Sequence, residues 1–87
     1  MKIYTKDANR TASAIAKLID ESYGSFDEKV SEAAYKWLEW NAGSLAHLVE
    51  DLLEDKTGKR YYVTIKREKE YDEFYMHVEW DETNNNY

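Results

Sequence analysis
The amino-acid sequence predicts an α+β domain in which three helices pack on one face of a small antiparallel sheet. Two observations carry this expectation: apolar residues recur at helical spacing up to Gly58, and beyond it they alternate with polar ones. A third sets the breaks, because the chain has no Pro and its three Gly fall between the periodic segments.

The elements follow in order. Lys2, Ile3, Tyr4 and Thr5 are a candidate short first strand, since an isolated two-stranded hairpin is marginal and gains from further pairing. Between Asp7 and Gly24, the residues Ala8, Ala12, Ile15, Ala16, Ile19 and Tyr23 share a helical face, and Gly24 suits a left-handed stop. Ser25 followed by Glu28 is a capping-box pattern that opens a second helix, with Phe26, Val30, Ala33, Ala34, Trp37 and Asn41 on one face up to Gly43. Ser44 caps a third helix, whose stripe of Leu45, Leu48, Val49, Leu52 and Leu53 faces the core and which ends near Gly58. Tyr61, Val63 and Ile65 then alternate with Tyr62, Thr64 and Lys66. After a polar stretch over 68–72, Phe74, Met76, Val78 and Trp80 alternate with Tyr75, His77 and Glu79. These two runs form a C-terminal hairpin. Trp37, Leu48, Leu52, Val63, Ile65, Met76 and Val78 are the expected core.

A chain of 87 residues has room for one core, so residues 1–82 are read as a single domain and 83–87, with three consecutive Asn, as a flexible tail. Three Trp, eight Tyr and two Phe help so small a core, because each ring buries roughly 150 to 250 Å². No apolar run of about 18 residues exists to span a membrane and no signal-peptide stretch opens the chain, which makes the cytoplasm the expected compartment. The absence of Cys excludes disulfides, thiol chemistry and zinc ribbons.

The net charge of −6 is unevenly spread: residues 1–19 carry +3, 20–55 carry −8, 56–67 carry +5 and 68–82 carry −6. Direct nucleic-acid binding needs a basic footprint that this chain lacks, so its expected partner is a basic protein surface. The strongest local signal is Glu50, Asp51, Glu54 and Asp55 at the end of the third helix, where like charges four apart repel and the macrodipole disfavours negative charge. Glu28, Glu32 and Glu39, with Tyr35 beside them, fall on the solvent side of the second helix, where Lys36 is placed to pair with Glu32. A helical hairpin turning at Gly43 joins the two acidic faces, and Glu68, Glu70, Asp72 and Glu73 extend them. The competing explanation is internal neutralisation by Lys56, Lys59 and Arg60 folding back on the helix end. Reversing Glu50, Asp51, Glu54 and Asp55 to Lys is expected to leave folding intact, or slightly improve it by relieving the dipole conflict, and to abolish partner binding.

Other candidates are weaker. Tyr62, Thr64, Lys66, Tyr75, His77 and Glu79 line the exposed sheet face, which is too acidic for base stacking and better suited to a protein contact. Leu18, Leu38 and Trp40 lie off the main stripes; an exposed Trp is a natural interface anchor. His47 with Asp51 is half a zinc site at helical spacing, but the only other His, His77, falls on a strand, so no metal site is expected. Carboxylate pairs such as Asp20 and Glu21 are unavoidable among eighteen acids, and isolated Gly residues make no phosphate loop. Neither enzymatic activity nor a cofactor is expected.

Three function classes remain. The first is a small acidic inhibitor that occupies the basic nucleic-acid-binding groove of a nuclease or other nucleic-acid-processing enzyme. The analogy, in size and charge alone, is to the DNA mimics of phages and mobile elements, including some anti-restriction and anti-CRISPR proteins. The second is a general protein-interaction or regulatory module that binds through the aromatic sheet face or Trp40. The third is a homo-oligomer formed through an exposed strand edge.

Overall fold
A computed structural model describes residues 3–83 and has the order α1 (Ala8–Asp20), β1 (Ser25–Val30), α2 (Glu32–Thr57), β2 (Tyr61–Glu70) and β3 (Glu73–Glu82). The class is α+β, with two helices where three are expected and a third strand in an unexpected place.

Lys2 of the candidate first strand lies outside the described residues, and Ile3, Tyr4 and Thr5 form no strand. They make a turn that closes on α1 instead. The Asp7 amide donates to the Tyr4 carbonyl at 3.0 Å, and the buried Thr11 hydroxyl accepts from the Tyr4 amide at 2.8 Å. Asp7 caps α1 through its side chain, which accepts from the Arg10 amide at 3.0 Å. Ala12, Ile15, Ala16 and Ile19 are buried as the stripe predicts, but the helix stops at Asp20 and leaves Tyr23 fully exposed. Gly24, with φ of +79°, serves the turn into β1.

The segment expected to begin the second helix is a strand. Phe26 and Val30 are four apart, a spacing that suits one face of a helix and one face of a strand equally. The deciding pattern is the strict alternation of Ser25, Asp27 and Lys29 outward against Phe26, Glu28 and Val30 inward. Ser25 is therefore no helix cap. That role falls to Ser31, whose hydroxyl accepts from the Ala34 amide at 3.1 Å.

The expected helical hairpin at Gly43 is absent: α2 is one helix of 26 residues, about 39 Å long. Gly43 keeps helical backbone, and Ser44 caps nothing. A glycine inside a helix costs only about 1 kcal/mol against Ala, and the burial of Leu38 before it and Leu45, Ala46 and Val49 after it outweighs that cost. Gly58 does end the helix, in the left-handed conformation at φ of 74° with its amide on the Glu54 carbonyl at 2.8 Å.

The sheet is antiparallel throughout, in the order β1-β3-β2, with Phe26, Val78 and Ile65 aligned across it. Strands β2 and β3 run further than the alternation alone suggests, so the polar stretch 68–72 contributes three residues to β2 and the loop is only Tyr71 and Asp72. Val63, Ile65, Met76 and Val78 are buried under α2, as expected, and α1 packs on α2. Trp37, Leu48 and Leu52 are only half-buried against this core, whereas Leu38, which lies off the expected stripe, is at its centre. Thr83 continues the pairing, its amide donating to the Arg60 carbonyl at 2.9 Å; residues 84–87 of the expected tail lie outside the described residues. Among the described residues no helix is long and apolar enough to cross a membrane.

Candidate functional site
Two acidic surfaces result from this architecture. On α2, about 100° per residue places Glu32, Glu39, Glu50 and Glu54 within a sector of roughly 60° along the side facing β2. Each has a partner. Glu32 pairs with Lys36 at 3.6 Å, Glu39 with Arg67 at 3.5 Å and Glu54 with Arg60 at 3.8 Å. One Glu50 oxygen accepts from the Val63 amide at 2.8 Å, and the other lies 3.1 Å from Nδ1 of His47. Most of this row therefore docks the helix against the basic segment and the edge of β2.

The remaining expected residues separate from that row. Asp51 and Asp55 turn to solvent and have no ion pair among the described residues. Glu28 is not on a helix at all; it sits on β1 opposite Met76. Tyr35, expected on the solvent side, is tucked against Phe74 with ring centres 4.9 Å apart, and the Arg67 guanidinium lies 4.3 Å from its ring centre. Of the basic block, Arg60 alone reaches the carboxylates named in the third helix. Lys56 bonds to Asp20, and Lys59 pairs with Glu82 at 3.4 Å.

The second surface is the outer face of the sheet, opposite the helices. No family model, curated protein or solved structure matches this chain. The geometry of that face therefore carries the functional reading. Strand register collects there Ser25, Asp27 and Lys29 from β1, Tyr62, Thr64, Lys66, Glu68 and Glu70 from β2, and Glu73, Tyr75, His77, Glu79 and Asp81 from β3. Six carboxylates face two lysines, an excess of four negative charges. Lys66 pairs with Glu79 at 3.6 Å, Lys29 with Glu73 at 3.1 Å, and Nδ1 of His77 lies 2.8 Å from Asp27. The Tyr75 hydroxyl donates to the Glu73 carboxylate. That bond, with the Lys29 ammonium behind it, holds Glu73 below the usual carboxylate range; the same bond, with burial and the Glu73 and Glu70 charges, raises the Tyr75 phenol above its ordinary value.

Tyr62, Thr64, Lys66, Tyr75, His77 and Glu79 thus share this face as the alternation predicts. Asp27, Glu70 and Asp81 join them only once β1 is seen as a strand and the long register of β2 with β3 is known. The face is polar and open, suited to binding rather than to enclosing a small substrate. Among the described residues, Asp27, Glu68 and His77 are also a set whose ligand atoms lie within 4.8 Å of one another, so they could hold a metal.

Proposed function
We propose that this protein binds stoichiometrically to a basic, nucleic-acid-binding surface of another protein and blocks it, as a small acidic inhibitor of a nucleic-acid-processing enzyme. The single observation that supports the reading is the carboxylate-rich outer sheet face, which neither of the described helices covers and on which strand register gathers the carboxylates. Grooves that hold phosphates present many Lys and Arg, and complementary charge steers fast association with them. Asp51 and Asp55 lie on α2, apart from the strands that carry this face.

The test is affinity capture at low salt and at roughly 0.5 M salt, where charges are screened within about 4 Å. The wild-type protein is compared with one reversed on the sheet (Glu70→Lys, Glu79→Lys, Asp81→Lys) and one reversed on α2 (Asp51→Lys, Asp55→Lys). Salt-released capture of a nucleic-acid enzyme, lost only in the sheet variant, is the expected result. Loss only in the α2 variant moves the site to the helix. The same partner retained by both variants defeats the electrostatic reading. A second reading is favoured by Tyr62, which is 66% exposed on this face: an aromatic protein contact, marked by salt-resistant capture that Tyr62→Ala abolishes.

A further inference from the structure
We propose that Asp27, Glu68 and His77 form a binding site for a divalent transition-metal ion on the outer face of the sheet. The inference does not rest on the partner reading above. Each strand supplies one donor: Asp27 from β1 and His77 from β3 are directly opposite, and Glu68 reaches in from β2, diagonal to His77. Their ligand atoms already lie within 4.8 Å of one another. Metal bonds of about 2.1 Å meeting at 90 to 110° require ligand atoms roughly 3.0 to 3.4 Å apart. The 2.8 Å between His77 Nδ1 and Asp27 is close to that range, and the exposed Glu68 side chain has rotamers to spare.

Charge argues for a cation beyond the His77–Asp27 contact. The two lysines of this face are engaged elsewhere, Lys66 with Glu79 and Lys29 with Glu73, while Lys69 lies 5.5 Å from the centre of the Phe74 ring. Glu68 has no ion pair among the described residues, although it stands beside a second carboxylate. A neutral imidazole with two carboxylates carries −2, which a divalent ion balances. The mixed nitrogen and oxygen donors suit zinc or manganese better than calcium, which takes more oxygen ligands, and three protein donors leave coordination positions open to water. The other imidazole, His47, is paired with Glu50, whose second oxygen is already held by the Val63 amide, so α2 builds no equivalent site.

The experiment is equilibrium dialysis of untagged protein against Zn²⁺ and Mn²⁺ chloride, with the imidazole nitrogens followed by NMR. The expected result is a single Zn²⁺ per chain and a shift of the His77 imidazole signal. Binding should weaken at least about tenfold in His77→Gln and again in Glu68→Gln, with His47→Gln unchanged. Glu68 is exposed, so its variant keeps the test valid if His77→Gln fails to fold. No saturable binding, binding that survives both variants, or binding lost with His47→Gln would overturn the proposal.

Discussion

Glu50 stands in an acidic cluster, yet its most consequential bond is to a backbone amide. Strand β2 is an edge of the sheet, and an unpaired edge amide close to a helix is expensive to leave dry. With 21% of its side chain exposed, Glu50 satisfies that amide from α2 and so ties helix to sheet. Reversing all four helix carboxylates is therefore no longer expected to be neutral. Glu50→Ala should cost about 1 to 3 kcal/mol, the range for removing a charged partner from a buried donor. Asp51→Ala should stay within about 0.5 kcal/mol, as surface changes do. Urea denaturation of the two variants decides it; equal midpoints would mean that Glu50 acts only as surface charge.

At the scale of the element, the continuity of α2 is open to a direct test at Gly43. Its backbone is helical and a Cβ added there meets nothing within 4 Å, so Gly43→Ala should stabilise the protein by roughly 0.5 to 1 kcal/mol. A turn at this position would make the same change destabilising, which thermal unfolding separates at once. What the sequence reveals depends on how many residues repeat a pattern. Strands β2 and β3 alternate long enough to be unmistakable, and the Ala12, Ile15, Ala16 and Ile19 stripe of α1 likewise. Strand β1 has six residues, and its Phe26 and Val30 satisfy two periods at once. Gly43 next to Ser44 reads as a stop and a cap, but neither signal prevails where apolar burial continues on both sides. The candidate site inherits the same division. Which residues are acidic is plain from the sequence, whereas the partners of Glu39 and Glu54, and the meeting of Asp27 with Glu68 across His77, depend on register and on the packing of α2.

Across the whole molecule one core serves both helices and the sheet. Leu38, Leu45, Val49 and Leu53 of α2 meet Ile15 and Ile19 on one side and Ile65, Met76 and Val78 on the other. Leu38→Ala should therefore cost about 2 to 5 kcal/mol, and the near-ultraviolet signal of Trp37 and Trp80 should vanish together with the helical signal. Separate transitions would mean that the helix pair and the sheet fold as independent units.

The placement of β3 at the centre of the sheet bears on the order of biosynthesis. β1 leaves the ribosome well before its neighbour exists, and all of α2 and β2 must follow before the strand that joins both edges emerges. The two helices can pair as soon as α2 is made, but β1 has to wait with its backbone bonded only to water. Its outward-facing Ser25, Asp27 and Lys29 leave one side of that nascent ribbon polar while it waits.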